Sequence, residues 1–254
     1  GGRLDHTAGT AGTGGGSWMF VGQNDTAGTY NLANTGSVAG GITGFAQGTG
    51  SLNATGNLLV GAFGDNRTGT VRVNTSATLA VSGEFFVGDS SNSVGTFSLE
   101  SGTVTVNNKI FVGNNNGVGV VVQSGGTITV NNELYIGNEN ANASGTYTLS
   151  GTGALNVANE VVVGRESGTG ILNVDGGTVT TSGNGNMYIG RRNGTGTLNQ
   201  TAGTINVNRE FGVGTRDDNK IGTGTYNLSG GSLTAANNIF IGKELGASGT
   251  MTMT

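Results

Sequence analysis

The sequence lacks cysteine and proline entirely, and it is poor in histidine and in charged residues. Without cysteine the chain forms no disulfide and offers no thiolate to a metal ion. The single histidine, His6, leaves little scope for imidazole chemistry. With 11 Lys and Arg against 15 Asp and Glu, the chain also lacks the basic surplus typical of nucleic-acid-binding proteins. We therefore expect no cofactor and no nucleic-acid partner.

Long apolar runs are also missing. No run approaches the roughly 18 residues needed to cross a bilayer, so we expect no membrane insertion. Glycine, by contrast, occupies 52 of 254 positions, but without the G-X-Y period of collagen. Valine, isoleucine, phenylalanine and tyrosine recur at regular intervals, which is not typical of disordered chains. The composition predicts a folded, β-rich protein.

A short apolar strand ending in Val-Gly or Ile-Gly recurs along the chain. Its glycines are Gly22, Gly61, Gly88, Gly113, Gly137, Gly164, Gly190, Gly214 and Gly242. From Gly61 onward the mean spacing is (242 − 61)/7, about 26 residues, whereas 39 residues separate Gly22 from Gly61. Such self-similarity is the signature of a repeat architecture. We predict a single domain over residues 1–254, with irregular coils over 1–60 and regular coils over 61–254.

Each repeat contains three strand-like pieces separated by Gly, Asn and Ser, for example residues 96–99, 103–106 and 110–112. Three short strands in about 26 residues suit one coil of a β-helix, and no helical periodicity is present. The predicted fold is therefore all-β, a right-handed parallel β-helix (β-solenoid) with three short strands per coil and roughly nine to ten coils. At about 4.8 Å per coil the rod is roughly 45 Å long.

Stacked coils place equivalent residues in columns. The residue before each marker glycine and the residue two positions earlier are apolar throughout, as in Val112 with Ile110, so both columns are expected to face inward. The residue between them points outward and is mostly aromatic. We interpret this aromatic column either as stacking between coils or as a lateral contact surface. Its aromatic members are Phe20, Phe86, Phe111, Tyr135, Tyr188 and Phe240.

Two polar columns precede the third strand. Stacked amides are expected at Asn108, Asn132, Asn159 and Asn237, since Asn side chains can hydrogen-bond along the axis. In the next column Lys109 lies between Glu84 and Glu133, which predicts a charge-compensating stack. Glu133 beside Glu160 lacks such compensation, and the pair is either solvated or a cation site.

The consensus GT-x-T-L/Y-N-x-S-GG-T-V-x-V…NN-x-L/I-F/Y-I/V-G resembles the repeats in passenger regions of bacterial autotransporters and related giant surface proteins. The resemblance covers nearly the whole chain and is least clear over residues 1–60. It implies a right-handed parallel β-helix displayed outside a bacterial cell, as an adhesin or spacer. It also implies surface polysaccharide, or the surface of a host or neighbouring cell, as a partner.

Two other functions deserve comparison with a structural role. An enzyme on a β-helix needs clustered carboxylates or basic residues; the candidates are Asp217 and Asp218, beside Arg216 and Lys220, with loops 165–166 and 191–192 stacked nearby. An ice-binding solenoid needs a flat Thr-x-Thr face. Its candidates are Thr103, Thr105, Thr127, Thr129, Thr178 and Thr180, although threonine is also a common exposed strand residue. We expect no enzyme activity.

The chain begins and ends within a repeat, and neither end shows a polar cap. The C-terminal GTMTMT followed by the N-terminal GGRLD matches the GTYNLSGGSLT pattern, so we expect the two ends to be complementary parts of one repeat. This predicts a head-to-tail homopolymer or a longer multi-repeat fibre. The assembling residues are expected to be Gly1, Gly2, Leu4, Thr250, Met251, Thr252 and Met253.

Overall fold

The computed structural model describes residues 2–22, 27–33 and 49–254. It confirms the predicted fold: an all-β solenoid of about nine turns, built from parallel strands in coils of about 26 residues. The described part contains strands and turns but no helix. Accordingly, it holds no helical segment of the length and apolarity that a membrane crossing requires.

Three strands form each coil, and the strands are numbered in chain order. The first strands are β1 (Gly2–His6), β4 (Ala27–Ala33), β7 (Thr68–Val81), β9 (Val94–Val106), β11 (Val118–Gln123), β14 (Ser144–Leu149), β17 (Thr169–Val174), β20 (Thr195–Gln200), β24 (Thr223–Leu228) and β27 (Ser248–Met253). Strands β7 and β9 are long enough to continue through the second-strand position of their coils.

The separate second strands are β2 (Thr10–Gly12), β5 (Ser51–Ala54), β12 (Thr127–Val130), β15 (Ala154–Val157), β18 (Thr178–Thr181), β21 (Thr204–Val207) and β25 (Ser232–Ala235). The third strands are β3 (Met19–Val21), β6 (Leu58–Val60), β8 (Phe85–Asp89), β10 (Ile110–Asn114), β13 (Leu134–Asn138), β16 (Val161–Arg165), β19 (Met187–Arg191), β22 (Phe211–Asp217) and β26 (Ile239–Lys243). One further strand, β23 (Lys220–Ile221), pairs antiparallel with the end of β22. All other pairings are parallel and join equivalent strands of successive coils.

Register between coils follows the repeat. Val112 pairs with Val87 of the coil before and with Ile136 of the coil after. The column before the marker glycine is buried from Val21 to Val213, as predicted. Burial of each such side chain contributes about 1.5–3 kcal/mol, so every coil adds its own share of stability.

The marker glycine is required by geometry. Gly113 has φ +68°, and a Cβ there would overlap the backbone of Ser144 in the next coil. Only glycine combines a left-handed backbone with such a close approach. The same close approach recurs at the marker glycines from Gly22 to Gly214, which is why Val-Gly and Ile-Gly mark the repeat.

The long interval between the marker glycines Gly22 and Gly61 can be located within one coil. It falls between first strand β4 and second strand β5, where residues 34–48 lie outside the described part of the chain. On either side of it, β4 pairs with β7 and β5 pairs with β7, in the same register as later coils. The extra residues are therefore inserted within one coil, and the ladders continue past them.

Candidate functional site

The C-terminal coil leaves inward-facing side chains uncovered. Ile239 and Ile241 occupy the two core columns, yet they are 51% and 49% exposed, whereas Val213 one coil below is 0% exposed. Met253 of β27 is 69% exposed. The prediction of uniformly buried columns is therefore wrong at this coil, because no strand stacks on the outer edge of β26.

The N-terminal strand is of a different type from the one predicted. Gly2–His6 pairs with Ala27–Ala33, so β1 is a first strand and Gly2 aligns with Gly28. The second strand of that coil is Thr10–Gly12, which pairs with Ser51–Ala54. The expectation that the two ends are complementary parts of one repeat is therefore wrong. Gly1 lies outside the described residues.

Both terminal strands, β1 and β27, thus belong to the same sheet. Leu4 at one end is 55% exposed, and Thr250 and Met251 at the other pair only with Thr225 and Tyr226 in the coil below. If β1 of a second copy is placed beside β27 in the register of the internal coils, Gly249 lies opposite Gly2, Thr250 opposite Arg3, Met251 opposite Leu4 and Thr252 opposite Asp5. In this register the apolar Met251 lies opposite the apolar Leu4, whereas Met253 lies opposite His6.

The direction of the amides in β27 determines which of them are available at its free edge. Ser248 N–H donates to Gly222 O at 3.3 Å, and Thr254 N–H donates to Leu228 O at 3.0 Å. Amides along a strand point alternately to its two sides. The even-numbered amides, including that of Thr252, therefore face β24, and the amides of Met251 and Met253 face the free edge.

The aromatic column lies outside the lumen as predicted, but it is not an open lateral surface. Phe86, Tyr135 and Tyr188 are buried, and Phe20, Phe111 and Phe240 are half-buried. Phe86 and Phe111 stack at 4.9 Å between ring centroids, with Phe111 and Tyr135 at 5.5 Å. Stacking between coils is the interpretation that the structure supports.

Long side chains from flanking columns cover these rings. The Arg165 guanidinium lies 4.8 Å from the centroid of the Tyr135 ring, and that of Arg191 lies 4.6 Å from the Tyr188 ring. Lys243 Nζ lies 4.5 Å from the Phe240 centroid. Cations at these distances are attracted to the ring faces. The exposed surface of this side is therefore largely ionic.

The asparagine column is confirmed over three coils. Asn132 Nδ2 donates to Asn108 Oδ1, and Asn159 Nδ2 donates to Asn132 Oδ1, each at 3.0 Å. Asn237 does not extend this ladder, because the coil below presents Arg209 at that position, whose carbonyl accepts the Asn237 backbone amide.

A second ladder, which the sequence analysis missed, follows the residue after each marker glycine. Asn114 Nδ2 donates to Asp89 Oδ1 at 2.6 Å and Asn138 Nδ2 to Asn114 Oδ1 at 2.7 Å; Arg165 Nη1 then donates to Asn138 Oδ1 at 2.9 Å. The ladder thus runs from a buried carboxylate to a guanidinium, with every amide oriented the same way. The sequence signal for this ladder was the polar residue that directly follows the marker glycine in successive coils, as at Asp89, Asn114 and Asn138.

The charged column forms pairs. Lys109 Nζ contacts Glu133 at 2.8 Å, as predicted. Burial raises the pKa of Glu133, but hydrogen bonds from Lys109 and Tyr135 outweigh it and the net pKa is lowered. Glu84 is farther from Lys109, and its burial raises its pKa. Glu160 is bound by Arg191 at 2.6 Å, so Glu133 and Glu160 each have a cationic partner.

The candidate catalytic loops do come together. Asp217 contacts Arg191 at 2.8 Å and Arg192 at 3.1 Å, and Arg192 also contacts Asp218. Glu166 joins Arg165, Arg192 and Lys220. Arg216 instead donates to Asn219 in its own turn. Within the described part of the chain, no cluster of His, Asp and Glu suits a metal ion. The carboxylates are tied to guanidinium groups rather than directed into a cleft.

The threonine face is uncharged over the described coils, and alanine interrupts it at Ala80 and Ala154. Thr103 pairs with Thr127, and Ala154 separates Thr127 from Thr178 in the same column. The second column places Thr105, Thr129, Asn156 and Thr180 in order. The array extends in both directions, to Ser51 and Thr10, whose hydroxyls lie 2.9 Å apart, and to Ser232 and Thr234.

No family model matches the chain, and neither the curated proteins nor the solved structures contain a match.

Proposed function

We propose that this chain is an extracellular structural solenoid of a bacterial surface, a subunit or segment of a fibre, matrix or adhesin that assembles head-to-tail by coil-on-coil pairing with further copies of itself. The observation that carries the proposal is the uncovered C-terminal coil, where Ile239, Ile241 and Met253 are about half or more exposed. Unpaired strand edges of this kind invite pairing with another chain. On this proposal the protein has no catalytic role.

The joint is formed by β27 of one copy and β1 of the next. Gly249 aligns with Gly2, Met251 with Leu4 and Met253 with His6, which continues the parallel ladder of the first sheet. The contact is heterologous and does not close on itself, so it generates a filament rather than a ring.

The joint is weaker than an internal coil interface. Because both terminal strands are first strands, the second-strand and third-strand positions of the coil are left with a gap one strand wide. Ile239 and Ile241 face Met19 and Val21 of the next copy across that gap, so apolar side chains line it on both sides. We therefore expect reversible, concentration-dependent association.

Proline substitution tests the joint. Met251→Pro removes an amide that faces the free edge, whereas Met251→Ala removes only the side chain. Sedimentation velocity and negative-stain microscopy are expected to show filaments for the parent chain, shorter ones for Met251→Ala, and single rods for Met251→Pro. Circular dichroism checks that the interior coils persist. A parent chain that stays monomeric at millimolar concentration contradicts the proposal.

The uncharged threonine face favours a second candidate, an ice-binding solenoid. The face presents two columns of hydroxyl and amide groups at the coil repeat, and it holds no charged residue over the described coils. Ice recrystallisation assays distinguish the two candidates. Thr127→Lys should abolish inhibition of crystal growth if this face binds ice, with Thr146→Lys on the first strand β14 as the matched control.

A further inference from the structure

Three residues near the N-terminal end each depart from their own column of the repeat, and the fold brings them together. Trp18 occupies a column that is otherwise polar, namely Asn57, Glu84, Lys109, Glu133, Glu160, Asn186, Glu210 and Asn238. Phe63 stands where other coils have Ser90, Asn115, Glu139, Glu166, Arg192 and Glu244. Arg67 stands where they have Ser93, Gly117, Ala143, Gly168, Gly194, Gly222 and Ala247.

Trp18 and Phe63 form an exposed aromatic pair. Their ring centroids are 5.1 Å apart with planes at 69°, and the side chains are 45% and 40% exposed. The pair packs on the aromatic column, with Trp18 at 6.1 Å from Phe20 and Phe63 at 5.1 Å from Phe86 between ring centroids. An aromatic cover is not needed there, because Tyr188 is buried with the Arg191 guanidinium over its ring.

Phe63 is held rigidly in an unfavourable backbone conformation. Its φ is +57°, a genuine outlier for a bulky residue, whereas Asn tolerates this region. The neighbouring loop fixes it: the Phe63 amide donates to Asp89 Oδ2 at 3.4 Å and the Gly64 amide to Ser90 Oγ at 3.3 Å. The left-handed conformation recurs at this turn position in later coils, as at Glu139 (φ +57°) and Arg192 (φ +54°), and what distinguishes Phe63 is the bulky, exposed ring that the turn carries.

The same loop supplies polar groups. The Arg67 guanidinium lies against Gly64, its Nη1 donates to Ala62 O at 3.5 Å, and its Nε is buried without a partner. Asp65 is exposed, and neither residue forms a salt bridge within the described chain. The guanidinium of Arg67 donates hydrogen bonds, the carboxylate of Asp65 accepts them, and the two charges cancel. Uncharged hydroxyl groups suit this pair, because a hydroxyl can accept a hydrogen bond from the guanidinium and donate one to the carboxylate.

We propose that Trp18, Phe63 and Arg67, with Asp65, form a binding site for neutral hexopyranose units of a polysaccharide. The apolar face of a pyranose ring packs on the aromatic pair, and its hydroxyls bond Arg67 and Asp65. The site lies outside the coil-on-coil joint and stands independently of it.

Trp18 is the single tryptophan of the chain, so its fluorescence reports on this site. The probes are cellohexaose, laminarihexaose and mannohexaose, and at least one is expected to shift or quench the emission with saturation. Phe63→Asn and Arg67→Ala, which restore residues typical of their columns, are expected to weaken binding at least tenfold. Glu139→Gln, in an equivalent turn, is the matched control and should leave it unchanged.

Denaturation separates binding from a merely structural cover. The proposal predicts that Phe63→Asn unfolds at an equal or higher denaturant midpoint while losing sugar binding. A lower midpoint with undiminished sugar binding, or no emission response to any of the three hexasaccharides, overturns the proposal. Both variants should still assemble into filaments, so failure of this site and failure of the joint are distinguishable.

Discussion

At the scale of single residues, the lumen contains polar side chains that are satisfied between coils. Gln123 is fully buried in a column where the adjacent coils have Leu99 and Leu149. Tyr147 Oη donates to Gln123 Oε1 at 2.6 Å, and Gln123 Nε2 donates to the carbonyls of Gly126 and Ala154. Burial raises the pKa of Tyr147, so the phenol stays protonated as a donor. The contributions of Tyr147 and Gln123 to stability are therefore coupled.

This coupling predicts non-additive mutations. Tyr147→Phe leaves Gln123 Oε1 buried without a donor, which should cost about 1–3 kcal/mol of unfolding free energy. Adding Gln123→Leu removes the unsatisfied group, so the double variant is expected to be more stable than the sum of the two single changes. Urea denaturation measures all four proteins. The equivalent Tyr226–Gln200 pair provides the replicate, and simple additivity at both sites contradicts the account.

At the scale of elements, the sequence predicts strands better than it predicts what covers them. The Val-Gly marker located the third strands because its glycine has a steric cause, as at Gly113. The N-terminal strand was assigned to the wrong strand position of its coil because Gly-Gly resembles the turn before a second strand, such as Gly230-Gly231. Burial of the aromatic column could not be predicted, because its cover comes from side chains such as Arg165 whose direction depends on the neighbouring coil.

The ion pairs between turns predict a specific sensitivity to acid. Burial raises the pKa of Glu166, but the hydrogen bond from Lys220 and the charges of Arg165, Arg192 and Lys220 outweigh it and lower the net pKa. A carboxyl group with a lowered folded pKa stabilises the fold above its unfolded pKa, and this contribution is lost as pH falls through the folded value. Acidification below the ordinary carboxyl range should therefore release the β22–β23 hairpin, which Lys220 joins to Glu166.

Hydrogen exchange followed by mass spectrometry tests this expectation. Protection of residues 215–222 should fall as the pH drops below the ordinary glutamate pKa of 4.5 in the parent chain, with the interior strands unaffected. Glu166→Gln should show reduced protection already at pH 7 and a smaller further loss on acidification. The control is Glu100→Gln, within strand β9 and away from the hairpin. An unchanged pH response in Glu166→Gln contradicts the role assigned to this carboxylate.

At the scale of the whole molecule, stability is expected to decline toward the open coil. In a solenoid each coil contacts only its neighbours, so the last coil is stabilised on one side alone. Its strands β25 and β26 also contain the exposed residues of the C-terminal end, including Ile239. Assembly covers this region, and exchange in β27 should slow with increasing protein concentration while that of β13 does not change.

The same geometry predicts that assembly is insensitive to salt. The joint joins Ser248–Met253, which has no charged residue, to Gly2–His6, whose Arg3 and Asp5 already pair with each other at 2.8 Å. Backbone hydrogen bonds and apolar contacts are screened little by ions, whereas exposed charge pairs weaken when the Debye length falls from about 10 Å to about 3 Å. The association constant from sedimentation velocity should therefore change less than about threefold between 0.1 M and 1 M NaCl. A tenfold loss with salt would instead place the contact on the ionic side of the rod, where Lys109, Arg165 and Arg191 cover the aromatic column.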